Sequence, residues 1–447
     1  MHAFENVFNH SKNLGIDECE ISAVSKKITT VRITDSNIAE LKQNSEESFG
    51  MRVINGKKIT SYKTCKNDLN RVIEELSRMP STRKIGFWRS LPDRIGDVRQ
   101  LEGTFDKRLD EIDSTKAADI AQEMINSALD AKIDTVSGAL NIVSEEFEIS
   151  NSNGLYGLDR ATYISGMINS ESGDTSGFGQ QCCRTLDKFL PEKIGIDSKH
   201  MCISSVNPVQ CKDSTCTLIL EPYSVGELLA FVVYPNLGLR LLAEKKSCFA
   251  NQFGEQIAAD GCSIIDDPHV PQAMGTKPFD EEGVQTSRNI LINDGVFQNV
   301  FSNLYDGFKE GRQSTGNAVR QGQPMGRDAD PIPSSMPHNL HVMPGELSTE
   351  DMIKDTRHGL LIGRLWYTYA LNPIRGDFSC TARSGIKIIE NGKITDSGKP
   401  VRIMHSLPAM LKNISGIGKD VKSVMQWASI PSIAPAIRVE GVPVRPV

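Results

Sequence analysis

The 447-residue chain predicts an α+β fold, with antiparallel-sheet-plus-helix units in the N-terminal part followed by a strand-rich C-terminal domain. Three observations carry this expectation. Long stretches alternate apolar and polar residues, as in EISAVSKKITTVRI from Glu20 to Ile33. Asn-Gly or Asp-Gly pairs separate such stretches at Asn55-Gly56, Asn153-Gly154, Asp294-Gly295 and Asn391-Gly392, the strongest short-range hairpin signal. Helical periodicity is confined to a few segments.

In chain order, residues 1–13 predict a short helix closed by Gly15. The strand from Glu20 is followed by two strand-like pieces, IAELKQ and SFGMRVI, and by KKITSY after the Asn55-Gly56 turn. Asp68–Met79 predicts an amphipathic helix with Leu69, Val72, Ile73 and Leu76 on one face, closed by Pro80. Residues 81–105 read as irregular. Ser114–Ala131 predicts the longest helix, facing inward with Ala117, Ile120, Ala121, Met124, Ile125 and Ala128. The strand pieces TVSGALNIV, EEFEIS and DRATYISGMIN follow, and the Gly/Ser-rich stretch Glu171–Gly179 reads as a mobile loop. These divisions place an N-terminal α+β region at 1–205, with subregions at about 1–80 and 106–205, and a C-terminal domain at 213–447.

The C-terminal domain opens with the strand CTLIL and a helix begun by Pro222, welcome there because its missing N–H would be unpaired in a first turn. That helix, Ser224 to Gly238, carries one carboxylate, Glu227, on an otherwise apolar run and is expected to stop at Pro235. A Gly/Pro-rich loop from Gly311 to Pro337, the strand NLHVM, a helix from Ser348 with Asp351 in a capping box, the strand LLIGRLW and the turn LNPIRGDFS lead to the last hairpin.

Composition sets limits on function. Hydrophobic residues at 39%, charged residues at 24% and a net charge of −6 suit a globular chain, not one surfaced throughout for phosphate backbones. No basic-then-apolar leader and no apolar run of about 20 residues is visible, so the expected compartment is the cytosol, without a membrane. The ten cysteines are scattered and read as reduced, mostly buried thiols. No H-E-x-x-H pair, G-x-S-x-G elbow, phosphate loop or dinucleotide fingerprint occurs. His338 and His341 form the one close histidine pair, but three residues apart in a strand they point to opposite faces. Cys380 is the thiol to test as a nucleophile, and the acidic clusters at Asp266-Asp267, Asp280–Glu282 and Asp328 with Asp330 read first as turns or caps.

From Asp213 onward the chain resembles the TldD/PmbA family, and within it the TldE (PmbA) branch. The matching pieces run in order: SIIDDP at Ser263–Pro268, PFDEEGVQT at Pro278–Thr286, the hairpin ILINDGVF, STGNAVR at Ser314–Arg320, HNLHVMPGELS at His338–Ser348, HGLLIGRL, LNPIRGDFS and GIKIIENGKI. The first 200 residues fit the family's α+β plan more loosely. The resemblance implies a zinc peptidase whose TldD-type subunit carries His-Glu-x-x-x-His on a helix and a cysteine ligand near its C-terminus. Here the corresponding segment, Ala230–Pro235, reads AFVVYP, and the last cysteine is Cys380. Apolar side chains cannot replace imidazole or thiolate as donors. The resemblance therefore implies a non-catalytic subunit holding no metal or cofactor itself. Its zinc-bearing TldD-like partner would complete a chamber that cuts unfolded peptides, including precursors of peptide antibiotics. The family also carries the label of a modulator of DNA gyrase, although direct contact with nucleic acid is not expected here. Two alternatives stand beside it: a homodimeric peptide-binding protein without hydrolysis, and an autonomous hydrolase using Cys380 or a carboxylate pair. Peptide binding is expected by strand addition at Asn339–Met343 or Ile386–Glu390. Asp280, Glu282, Asn317, Arg320, Asn339 and Asp377 are the candidate peptide- or partner-binding residues.

Overall fold

The computed structural model describes residues 4–79, 85–97, 101–426 and 430–447. Pro80 as a helix stop, the first three residues, and parts of 81–105 and of the cysteine-free C-terminal stretch lie outside the described residues.

Strands β1 (Glu18–Thr34), β2 (Asn37–Asn55), β3 (Lys58–Thr64), β4 (Thr135–Asn151), β5 (Tyr156–Ser172) and β6 (Thr175–Cys183) form one antiparallel sheet in the order β3-β2-β1-β4-β5-β6. The two N-terminal subregions thus share a single sheet through the β1–β4 ladder. Alternation set this up, and the strands are longer than the sequence pieces suggested: IAELKQ and SFGMRVI are one strand, paired to β1 along its length. The turn joining β1 to β2, Asp35-Ser36, has both residues at positive φ without a glycine, a conformation that Asp tolerates through its short polar side chain. In the β2–β3 hairpin the turn falls one residue later than expected, on Gly56-Lys57, since Asn55 pairs with Lys58.

Helices α1 (Glu5–Asn13), α2 (Leu69–Arg78), the single turn α3 (Lys107–Asp110), α4 (Ser114–Ala128) and α5 (Pro191–Ile203) belong to this region. Asp68 and Asp113 cap α2 and α4 by accepting from Arg71 N and Lys116 N. The faces expected for α2 and α4 are the buried ones. The stretch expected to be a mobile loop, Glu171–Gly179, is instead the β5–β6 hairpin. Its glycines serve packing: a Cβ on Gly177 would lie 1.9 Å from Ser198 O, and one on Gly179 2.0 Å from Ile194 O, so only glycine lets α5 sit on β6.

The second sheet contains β7 (Ser214–Leu220), β8 (Ile264–Asp266), β9 (Asn289–Asn293), β10 (Val296–Phe297), β13 (Leu340–Val342), β14 (His358–Asn372), β15 (Asp377–Glu390), β16 (Lys393–Ser397), β17 (Val401–Ser406), β18 (Ile414–Met425) and β19 (Pro431–Pro446). A small ribbon pairs β11 (Ala318–Val319) with β12 (Ser334–Ser335). Strands β19, β17, β15, β14 and β7 close on themselves, because β7 pairs with both β14 and β19. Leu218, Leu220, Ile362, Phe378, Ile403 and Val442 fill that ring from several strands. The hairpin turns Asp294-Gly295 and Asn391-Gly392 and the Ser348/Asp351 capping box form as the sequence indicates. No helix among the described residues is long and apolar enough to cross a membrane.

One face of the first sheet packs on its own helices. The other receives C-terminal loops, with Phe279 and Ala329 seated among Val24, Phe147, Ile149 and Leu155.

Candidate functional site

The helical segment from Pro222 to Leu237 lies against the closed strand ring. It begins as α6 (Pro222–Leu228), with Pro222 in the first turn, and Ser224 Oγ donates to Ile362 O at 3.1 Å. Gly226 is required by close approach, as a Cβ there would meet Val424 Cγ1 at 2.7 Å. Pro235 does not stop it. From Leu229 to Val233 the backbone widens to a π turn, Tyr234 N–H donating to Leu229 O, and helix α7 (Tyr234–Leu237) continues to Gly238. A proline would clash with the carbonyl four residues back in α winding, and the wider turn removes that conflict. The Asn236 amide then donates to Val232 O at 2.8 Å, pairing a carbonyl of the widened turn. Ala230 is buried against Met336 and Ile430, with half-buried Phe231 and Tyr234 beside them. Burial pushes the Glu227 carboxyl up to about 7, and Arg364 pulls it the other way.

Beside this helix two strand edges meet. Strand β6 is the last strand of its sheet, and β18 pairs with β19 alone among the named strands. Gln180 N–H donates to the Tyr223 hydroxyl at 3.2 Å, that hydroxyl donates back to Gln180 O at 2.6 Å, and the Gln180 amide donates to Met425 O at 2.7 Å. Backbone groups of an edge strand point alternately inward and outward. With Gln180 facing out, Cys182 two residues on faces out as well. On β18, Val421 and Met425 lie opposite Pro435 and Pro431, which have no N–H to give, so Val421, Ser423 and Met425 face out. Between these edges lies a groove of ≈ 390 Å³, walled by Gln180–Cys183, Lys422, Ser423, Tyr223 and the loop Val270–Ala273. Arg184 fixes that loop by donating to the carbonyls of Ala273, Met274 and Thr276, while its other nitrogens bind Thr162 O and Thr104 O. Such a groove can satisfy the backbone of an extended peptide whatever its sequence.

The edges expected for strand addition are not open. Strand β13, within Asn339–Met343, lies between β8 and β19; Ile386–Glu390 of β15 lies between β14 and β16. The carboxylates and amides singled out from the sequence are mostly buried inside the chain. Glu282 accepts from Arg52 at 2.8 Å and from Leu304 N–H at 2.8 Å; Arg52 also donates to Glu20 at 2.7 Å. Arg320 donates to the other oxygen of Glu20 at 2.6 Å and is 0% exposed in its side chain. Asp280 accepts from the N–H groups of Glu282, Val284 and Ala318, so it shapes its own loop, and burial next to Glu282 raises its carboxyl. Asn317 donates to Asp266 at 2.6 Å; Asn339 donates to Asp267 O and accepts from Gly275 N–H. These five hold the C-terminal loops in place, Glu282 and Arg320 against the first sheet. Asp377 stands apart, half-buried and bound by Arg375 at 2.7 Å. The sequence reading missed Arg184, Gln180, Tyr223 and Ser423, since none belongs to a motif and their roles depend on partners far along the chain.

Cys380 is 1% exposed, and burial drives its thiol far upward, the wrong direction for a nucleophile. His338 is buried with Nε2 at 2.7 Å from Gly316 O, and burial lowers it to about 4, so it stays neutral. Among the described residues no three His, Cys, Asp or Glu side chains converge as a metal-binding group.

Comparison with known proteins places the whole chain. Residues 213–445 match the model of the PmbA/TldA metallopeptidase C-terminal domain, residues 19–79 that of domain 1 and residues 107–202 that of the central domain. The chain belongs to the PmbA/TldD metallopeptidase family. It is similar to the metalloprotease PmbA of Escherichia coli O157:H7, 26% identical over 341 residues covering 74% of this chain and 71% of that one. Its fold is that of TldE from Thermococcus kodakarensis, with a TM-score of 0.87, 23% identity and coverage of 99% and 100%. It is also that of a Thermotoga maritima protein named as a modulator of a DNA gyrase, with a TM-score of 0.84, 22% identity and 99% of each chain covered.

Proposed function

We propose that this chain is the non-catalytic, peptide-holding subunit of a two-subunit metallopeptidase whose zinc is borne by a TldD-like partner. One observation carries the reading: the π turn at Leu229–Val233 occupies the place where zinc-bearing relatives are expected to carry His-Glu-x-x-x-His. Histidines five residues apart do not share a face of an α-helix, but winding that bonds residues five apart brings them together. The winding is present here, and the two positions are Ala230 and Pro235, with Phe231 in place of the glutamate. This donor set does not fit zinc, and no step of peptide cleavage is assigned to this chain.

The groove between β6 and β18 supplies what remains useful without a metal. An extended peptide laid there pairs with the outward groups of Cys182 and Ser423, and the fixed loop Val270–Ala273 limits its depth. Holding an unfolded segment still lets a neighbouring zinc site act on it without this chain touching the reacting bond.

The test is to purify the chain alone, then together with a His-Glu-x-x-x-His paralogue from the same genome, and to measure bound zinc and cleavage of an unfolded peptide. Zinc and turnover are expected only in the mixture. Stoichiometric zinc and cleavage by this chain alone would sink the proposal.

A further inference from the structure

The peptide groove does not end at Tyr223. A second cleft of ≈ 940 Å³ shares Asp197, Tyr223 and Lys422 with it and runs outward between α5, the start of α6 and the strand β15. Its size is at the upper end of the roughly 300–1,000 Å³ of ligand pockets. The two together are lined by Lys132, Lys188, Lys193, Lys199, Lys387 and Lys422, against the carboxylates Asp130, Asp197 and Glu221. In a chain of net charge −6 this is a local excess of positive charge.

Three of these six cations have partners within the chain, among them Lys199, which donates to Leu129 O at 3.4 Å. Lys132, Lys188 and Lys193 have no side-chain partner among the described residues. Lys422 stands 4.0 Å from Asp197 and over the Tyr223 ring, both at the junction of the clefts. Lys387, deeper, donates to Ser204 O and to the hydroxyls of Ser205 and Ser397. Of the opposing acids, Glu221 lies deep in the cleft, where burial raises its carboxyl and Lys422 offsets part of that rise.

Resting on the peptide-holding reading, we propose that this lysine-lined extension selects the substrate: it binds an acidic segment of the peptide next to the stretch paired in the groove. A phosphate backbone fits less well. Its charges are evenly spaced and cannot avoid Asp130, Asp197 and Glu221 in the same lining, whereas a peptide can place its carboxylates at the lysines alone. Phe178, Tyr223 and Leu361 give the intervening side chains apolar walls.

Labelled peptides of equal length, acidic, neutral and basic, are titrated with the full chain at about 0.05 M and about 1 M salt, beside a single-stranded oligothymidylate. The acidic peptide is expected to bind about tenfold tighter than the neutral one at low salt, the two converging at high salt. Lys132→Gln with Lys199→Gln should cut that advantage to about threefold or less, and Lys132→Glu with Lys199→Glu should move the preference toward the basic peptide. Equal binding of acidic and neutral peptides overturns the charge selection and leaves the groove standing. Failure of every peptide to bind overturns both. Tighter binding of the oligonucleotide than of the acidic peptide, lost in the same variants, assigns the cleft to nucleic acid instead.

Discussion

Glu227 is a carboxyl on an otherwise apolar helix, and its protonation is coupled to folding. Its folded value near 7 lies above the usual 4.5 of a glutamate carboxyl. Between these values the folded chain binds more protons than the unfolded one, so this residue's contribution to stability falls as pH rises from about 4.5 to about 7 and is level above that. Glu227→Gln keeps the shape and removes the charge. The variant should match the parent at about pH 4.5 and exceed it at pH 8 by roughly 2–3 kcal/mol. Urea unfolding at both pH values checks this, and a gain of equal size at both would refute the assignment. At this scale the sequence was informative about type and silent about environment. Glu282 and Arg320 stood out as polar residues of motif-like stretches, but their partners Arg52 and Glu20 are 230 and 300 positions away. Nothing local distinguishes a carboxylate awaiting a ligand from one already bound by a distant guanidinium.

Elements were legible where local rules decide them. The inward faces of α2 and α4 follow from i, i+3, i+4 spacing, and the Asp294-Gly295 and Asn391-Gly392 turns from their need for positive φ. Elements decided by packing were not. Helix α5 buries Ile194, Gly195, Ser198 and Cys202, a face too small and polar to show as an apolar stripe, and it rests on glycines of β6 that read as loop residues. Gly179→Ala should therefore destabilise the chain by about 1–3 kcal/mol, because the new methyl collides with the α5 backbone. A thermal or urea midpoint equal to the parent's would contradict that contact. The open edges were misassigned for a related reason, since which strand lies outermost depends on the order in which distant strands pair. If β6 and β18 are the edges that hold peptide, N-methylation of alternate peptide amides should weaken binding at least about tenfold in one register and little in the other. Equal loss in both registers would point to side-chain recognition instead.

Across the whole molecule, the first sheet and the C-terminal domain are joined by ionic groups removed from water. Glu20 and Arg52 from the sheet meet Glu282 and Arg320 from the C-terminal loops; Lys26 and Glu145 meet Arg327 in the same way. Buried ion pairs add little compared with apolar packing, but breaking one strands a charge and costs about 3–5 kcal/mol. The groove walls come from both sides of this junction, so its shape depends on the junction staying closed. Arg320→Met leaves Glu20 with Arg52 alone, and the loss falls on the contact between the two parts rather than inside either. Two tryptophans report separately on the junction and on the second sheet. Trp88 donates to Glu18 and packs on Phe308 across the junction, while Trp366 lies under Arg364 in the second sheet. In variants retaining one of these tryptophans at a time, both should report the same urea midpoint. Adding Arg320→Met should lower the Trp88 midpoint well below that of Trp366, with peptide affinity lost at the earlier transition. A common midpoint that merely moves down would mean that the chain unfolds as one unit whatever happens at the junction, and that the groove owes its shape to packing within each part.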